Sequence, residues 1–339
     1  MSTFDYILCS GSGNRFLLFD ESYEKASGID TTSFVQKLSQ HYPIDGVLWL
    51  CRTDEGALCM RMFNTDGSEA QMCGNGIRCV ARLAHERYSH EAGASFTIFS
   101  GGRPYQLSLQ EPILNNLPTY GVEIPVTMHS AAFPRSLSED ATTYLLPELD
   151  TQLYFAFLSL GNPHIVADVS TVAGALFDVY GRLTLSRLAA IGAKANTLRE
   201  LFPEGVNVSL YCKLSQQRIF VATYERGVGL TPSCGTAMTS CATAAAVCGS
   251  CESDRAIEVW NRGGCVRALP MRTSLGTWVT RLIGNATFER QGQFLLSTSG
   301  EVCPLSDRPW DDEQTYKQLA EATARDMNEY YALQIDEYK

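Results

Sequence analysis

Short apolar runs broken by glycine and charge alternate through the first half of the chain, and one stretch changes period. FDYILCSG, FLLFD, GVLWLC and ALCMRMFN read as strands. ASFTIFS and RPYQLSLQ alternate apolar and polar positions on either side of Gly101 and Gly102, which is the hairpin signal. Between these runs, from Gly74, the residues Ile77, Val80, Ala81 and Ala84 recur at helical spacing and predict one helix with an apolar face. A Pro- and Ser-rich stretch from Glu111 to Leu149 follows, and a domain boundary is expected near its start. YFAFLSLGNPHIVADV, GVNVSLYC and RIFVATYER are strands again, and Gly235 to Val247 is a second helix. Nearly every residue of that helix is small or apolar, so it should be enclosed on all sides. Beyond Phe294, Pro309 precedes a stretch from Trp310 to Lys339 in which Tyr316, Leu319, Thr323, Met327 and Tyr330 share one helical stripe. That stripe is expected to pack on the body of the protein or on a second copy of the chain, the latter giving a homodimer.

The two halves resemble one another in order. GNRFLLFD from Gly13 matches GNPHIVAD from Gly161 at a separation of 148 (161 − 13), and DGVLWLC from Asp45 matches EGVNVSLYC from Glu204 at 159 (204 − 45). The dipeptides Cys73-Gly74 and Cys234-Gly235 follow at 161 (234 − 73). Ordered self-similarity of this kind predicts two like domains related by approximate twofold symmetry.

With 339 residues, 45% apolar and 19% charged, the chain can bury a large core. No window is long and apolar enough to span a membrane, and MSTFDYILCSGSG lacks the layout of a signal peptide, so a cytoplasmic location is expected. A formal charge of −10 argues against nucleic acid, whose binding draws on lysine and arginine, and favours a small-molecule ligand. The twelve cysteines are expected to stay reduced, and most should be buried small hydrophobes.

Cys73 and Cys234 differ from the rest because each precedes a predicted helix start. Unpaired backbone N–H groups and the helix dipole favour an anion there, so either thiol is expected to be shifted toward neutrality and to serve as acid or base. The same N–H groups, at Gly74-Asn75 and Gly235-Thr236, suit a substrate carboxylate. Two such ends facing one ligand would allow a proton to leave one face of a carbon and return to the other, and the two thiols could then also join as a disulfide under oxidation. Other readings fit less well. Zinc needs paired short spacings, and only Cys248-Gly-Ser-Cys251 has one, so no metal site is expected. MCGNGIR lacks the lysine of a phosphate loop. A redox role for Cys248 and Cys251 falls at a helix end, and a single cysteine acting with His164 as base leaves the second Cys-Gly turn unexplained.

FNTDGSEAQMCGNGIRC, LGNPHIV, GVNVSL and YERGVGLTPSCGT closely resemble the motifs of the diaminopimelate epimerase family, from Gly11 to Thr236. The resemblance implies a mixed α/β fold of two pseudosymmetric domains, each a curled, mostly antiparallel sheet around a central helix, with the site in the cleft between them. On this reading residues 1–118 and 119–284 are the two repeats, 285–300 a strand returning to the first, and 301–339 an extension. It implies a cofactor-independent epimerase that interconverts LL- and meso-diaminopimelate in lysine and peptidoglycan precursor synthesis. Cys73 and Cys234 would be the acid and base thiols, assisted by His164 and Glu225. Gly74, Asn75, Gly235 and Thr236 would bind at the reacting centre, and Asn14, Asn64, Asn162, Asn207 and Arg226 would recognise the rest of the substrate. Asn14, Asn64 and Asn162 equally suit turns, and His164 a structural role. The chain departs from the family pattern at Arg15, where an acid is usual, at Asp45-Gly46 for Asp-Gln, at Leu230 for Glu and at Ala237 for Gly. These departures point to a less selective pocket, with a racemase of another amino acid such as glutamate as the alternative.

Overall fold

The computed structural model describes residues 2–20, 30–88, 93–128, 142–178, 181–297, 301–310 and 312–337, with backbone only at 320 and 326–337. The chain divides into two compact units, Met1–Glu123 with Ile283–Leu319, and Ile124–Leu282 with Ala320–Lys339. The first contains β1 (Ser2–Gly11), β2 (Asn14–Asp20), α1 (Thr31–His41), β3 (Gly46–Arg52), β4 (Leu58–Asn64), β5 (Glu69–Ala70), α2 (Gly74–Arg87), β6 (Ser95–Ser100) and β7 (Arg103–Leu109). The boundary falls within β8 (Thr119–Met128). The second holds β9 (Tyr144–Leu145), β10 (Tyr154–Ser159), β11 (Pro163–Asp168), α3 (Ser186–Ala195), β12 (Asn207–Ser215), β13 (Arg218–Glu225), β14 (Gly229–Thr231), α4 (Gly235–Val247), β15 (Ile257–Asn261) and β16 (Gly264–Arg272). The chain re-enters the first unit within β17 (Trp278–Asn285) and continues as β18 (Thr287–Leu296), β19 (Val302–Pro309) and α5 (Asp312–Glu337).

Strand pairing is the same in both units. β1 and β2 are antiparallel, β2 and β3 parallel across α1, β3 and β4 antiparallel, and β4 and β6 parallel across α2. In the second unit β10–β11, β11–β12, β12–β13 and β13–β15 repeat that sequence of directions. Parallel neighbours need a crossover, and each one here carries a helix. The fold is thus mixed α/β with mostly antiparallel pairs around one central helix per unit.

The ladders correct one of the sequence matches. Phe16 pairs with Gly46, and its counterpart His164 pairs with Asn207, so Gly46 corresponds to Asn207 and not to Gly205. Every ladder downstream keeps one separation of 161, for Gly46 and Asn207 (207 − 46), Cys59 and Phe220 (220 − 59), and Pro104 and Cys265 (265 − 104). The shared Gly-Val dipeptide misled the string comparison because pairing, not composition, sets register.

Two helices escaped the sequence reading, which placed one helix among the strands of the first half. α1 is capped by Asp30, whose side chain accepts from Ser33 N at 3.3 Å. Its Phe34, Val35 and Leu38 join a buried cluster with Phe4, Phe19, Trp49, Phe63 and Phe294. α3 does the same in the second unit, burying Leu188, Ile191 and Ala195 with Val208, Leu210 and Phe220. Full burial of a large apolar side chain contributes about 1.5–3 kcal/mol, so two or three such residues suffice to anchor each short helix.

The central helices are more enclosed than an apolar stripe implies. α4 is buried from Gly235 to Ala245 except at Thr236, against β10–β13, β15 and β16, as its composition predicts. α2 is buried from Gly74 through Ala84, including Arg78 and Arg82. Arg78 donates to Gly74 O, Ser12 Oγ and Asn285 O. Arg82 pairs with Glu86 and Asp312, donates to Ala286 O and lies 3.9 Å from the Phe288 ring centre. Each guanidinium is satisfied, so it can be enclosed. Asp312 thereby fixes the start of α5 on α2. Within the expected tail stripe Leu319 and Thr323 are buried; the side chains of Met327 and Tyr330 lie outside the described residues, as do Tyr338 and Lys339. No described helix is long and apolar enough to cross a membrane.

Candidate active site

Cys73 is the N-cap of α2 and Cys234 the N-cap of α4, both in extended backbone (φ −135° and −139°). In the first unit Cys73 Sγ accepts from Gly76 N at 3.3 Å. Gly76 has to lack a side chain, since a Cβ there would stand 2.8 Å from Leu48 Cδ2 and 3.4 Å from that sulfur. β1 turns into β2 at Ser12 and Gly13, both at positive φ (50° and 86°), which brings Asn14 over the helix start. Asn75 Nδ2 donates to Asn14 Oδ1 at 2.7 Å, whereas Asn75 Oδ1 is buried and has no partner. Asn14 also reaches Asp45 Oδ2 at 3.4 Å. Asn64 stands apart from this group: its Nδ2 donates to Ser68 Oγ at 3.0 Å across the turn through Gly67.

In the second unit Cys234 Sγ lies 3.4 Å from Thr236 Oγ1, and Asn162 Nδ2 donates to the same hydroxyl at 3.5 Å. His164 Nε2 sits 3.2 Å from Asn162 Oδ1 and 3.4 Å from Asn207 Nδ2, while its Nδ1 is buried without a partner. Asn207 Oδ1 accepts from Arg226 N at 3.0 Å. Glu225 accepts from Thr231 Oγ1 at 2.6 Å and its carboxylate stands beside Cys234. The guanidinium of Arg226 turns away, to Glu204 O at 2.8 Å. β13 ends at Glu225 and Arg226 begins the turn, so the two side chains part company here.

The thiols do not have the acidity expected from helix ends alone. Burial pushes the Cys73 thiol up, and the N–H groups of Gly76 and Asn75 and the charge of Arg78 only oppose that shift. Burial pushes Cys234 up further, and the Glu225 carboxylate adds to it, against Thr236 and Ala237 N–H. Desolvation of an anion outweighs a few partial charges when the sulfur is enclosed. Burial also lowers His164 to about 3, helped by Arg226, so its ring is neutral and offers no proton at neutral pH.

The constant separation of 161 shows where the two repeats diverge. Asn75 matches Thr236 (236 − 75) and Gly76 matches Ala237 (237 − 76); Asn75, Gly76 and Ala237 each bring an N–H near a sulfur, and Thr236 brings its hydroxyl. Asn64, however, matches Glu225 (225 − 64), and Arg78 matches Thr239 (239 − 78). Thr239 Oγ1 donates to Gly235 O at 2.8 Å, as Arg78 Nη1 donates to Gly74 O at 3.2 Å. One repeat therefore puts a buried cation near its cysteine and the other an acid. Sequence reasoning missed Arg78; its signal was an arginine four residues from Gly74, in the first turns of an otherwise apolar helix face.

Two departures from the expected family pattern have local explanations. Arg15 pairs with Glu289 at 2.6 Å, so the changed charge is matched within the unit. At Gly46 a Cβ would stand 2.6 Å from Phe63 O, so this packing admits no side chain there. Among the described residues no three of His, Cys, Asp and Glu come together as metal ligands.

The solved structures that resemble this one include a phenazine biosynthesis protein of the PhzF family from Bacillus anthracis, at TM-score 0.61 and 16% identity, covering 87% of this chain and 100% of that one. A probable proline racemase from Agrobacterium radiobacter gives TM-score 0.57 and 12% identity over 87% and 93%. At such identities these establish the fold alone. Sequence relatives are nearer: the diaminopimelate epimerase of Clostridium acetobutylicum is 35% identical over 85% of this chain and 84% of its own. That of Listeria innocua is 31% identical over 94% and 96%. The sequence profile of diaminopimelate epimerase matches residues 6–110 and 156–287, spans that hold both capping cysteines and the groups around them. On these matches the chain belongs to the diaminopimelate epimerase family and is an isomerase.

Proposed function

We propose that this protein interconverts LL- and meso-2,6-diaminopimelate by two-base proton transfer at one α-carbon, in lysine and peptidoglycan precursor synthesis, with Cys73 and Cys234 as the two bases. The observation that carries this reading is the repeated placement of a cysteine as N-cap of a buried helix at the same point of each unit. Of the two thiols Cys73 is the one to act as base once its proton is lost: Gly76 N–H, Asn75 N–H and Arg78 all oppose the upward shift that burial imposes on it. Cys234 is the acid, because the Glu225 carboxylate holds its proton in place. The thiolate takes the α-proton from one face and the thiol returns one to the other; the reverse reaction starts from the opposite protonation state. Helix-start N–H groups at Gly74-Asn75 and Gly235-Thr236 receive the α-carboxylate and steady the carbanion, and Asn75 Oδ1 takes a hydrogen bond from the amine. Asn14 orients Asn75, and Asn162, His164 and Asn207 form the chain that orients Thr236. Asn64 and Arg226 are left for the distal end of the substrate. No pyridoxal phosphate or metal has a part in this chemistry.

The departures from the family pattern at Arg15, Asp45-Gly46, Leu230 and Ala237 motivate a less selective pocket. The test is the rate of isomer interconversion with LL-diaminopimelate, meso-diaminopimelate and glutamate. Turnover of diaminopimelate with slower turnover of glutamate is expected. Undetectable glutamate turnover removes the relaxed selectivity, and undetectable diaminopimelate turnover removes the assignment.

A further inference from the structure

Ten of the twelve cysteines lie outside the proposed chemistry, and two of those ten stand opposite one another on a hairpin. Cys51 of β3 pairs with Cys59 of β4 in the antiparallel ladder. Thr53 N donates to Ala57 O at 2.8 Å just beyond them, and hydrogen-bonded pairs alternate along such a ladder, so Cys51 and Cys59 form a hydrogen-bonded pair. Their Cα atoms are then about 5.5 Å apart, inside the range of about 4.4–6.8 Å that a disulfide spans. Cys51 Sγ donates to the backbone carbonyl of Cys59 at 3.4 Å, so the Cys51 thiol already leans across to β4. Both residues are half-buried, open to a small reagent.

The two sulfurs are unequal. The neighbouring Cys51 side chain and the positive charge of Arg61, two residues along β4, lower the Cys59 thiol. Cys51 is pushed up by the same contact and by burial. A more acidic thiol next to a less acidic partner is the arrangement of an attacking and a resolving cysteine. The Cys248 and Cys251 pair lacks it, since burial pushes both of those thiols up.

We propose that Cys51 and Cys59 form a dithiol site, separate from the epimerase chemistry, that exchanges with low-molecular-weight disulfides and closes reversibly to a cross-strand disulfide. The Cys59 thiolate attacks one sulfur of the disulfide, forming a mixed disulfide and releasing one thiolate. Cys51 then loses its proton and attacks the Cys59 sulfur, releasing the second. Two protein thiols are oxidised, the small disulfide is reduced to two thiols, and the balance closes without another reactant.

The experiment treats the reduced full-length protein with glutathione disulfide and maps the products by peptide mass spectrometry. The expected first product is a Cys51–Cys59 cross-link, lighter by two hydrogens. In Cys51→Ser the reaction should stop at one glutathione on Cys59, and in Cys59→Ser it should slow by about tenfold or more. A Cys248–Cys251 cross-link forming first in the unaltered protein, or glutathione found on Cys51 with Cys59 untouched, overturns the proposal. The order of products in the unaltered protein decides it even if a variant folds poorly.

Discussion

Replacing Arg78 by methionine separates its two roles. The guanidinium is fully buried, and among the described residues no carboxylate pairs with it; burial brings it down to about 10, so it remains charged at neutral pH. Methionine keeps much of the volume but removes the donors to Ser12 Oγ at 2.7 Å and Asn285 O at 3.3 Å. The third acceptor, Gly74 O, sits four residues before Arg78 and can keep its helical N–H. Each buried acceptor left without a donor costs about 1–3 kcal/mol, and removing an enclosed charge refunds part of that, so a loss of roughly 2–4 kcal/mol is expected in urea unfolding. Removing the cation also removes one of the influences that favour the Cys73 thiolate. The pH at which iodoacetamide alkylates Cys73, followed by peptide mapping, should therefore move upward, and turnover should fall. An alkylation profile that stays put or moves down refutes the electrostatic role, whatever happens to stability.

The thiol shifts set the direction of the pH profile. Cys73 must lose a proton and Cys234 must keep one, and both thiols are pushed up, so kcat/KM should rise from neutral into alkaline pH and fall again at higher pH. In Glu225→Gln the carboxylate that raises Cys234 is gone, so the falling limb should move to lower pH; an unmoved falling limb assigns it to another group. His164 supplies a stability prediction. Its unfolded ring takes up a proton near 6.5 and its folded ring only near 3, so stability is complete above about pH 6.5 and is lost on acidification, by about 1.4 kcal/mol per unit. His164→Gln should flatten that acid loss in denaturant titrations between pH 6.5 and 4. An equal loss in the variant contradicts the buried neutral ring.

What the sequence made legible was local. Small and apolar residues from Gly235 to Val247 dictate an enclosed helix wherever it lies, and a cysteine before Gly-Asn or Gly-Thr marks a helix start without reference to the rest of the chain. α1 and α3 were harder because each depends on three or four apolar residues whose worth appears only against Phe294 or Phe220, distant in sequence. Acidity failed for the same reason: the helix dipole can be read from Cys73-Gly74, but the strands that bury its sulfur cannot. The motif groups Asn64 with the other asparagines, but that its amide donates to Ser68 across its own turn could not be read from it. The two-residue slip at Gly46 hid the correspondence of Asn64 with Glu225 until strand register exposed it.

The proposed chemistry is proton exchange at the α-carbon by two thiols. Incubating either diaminopimelate isomer in deuterium oxide and following the α-position by mass spectrometry and NMR measures it directly. Deuterium should enter the α-carbon as the other isomer appears, with no pyridoxal phosphate added, and Cys73→Ala and Cys234→Ala should each abolish interconversion. Undiminished interconversion in either variant, or interconversion that leaves the α-hydrogen unexchanged, would contradict it.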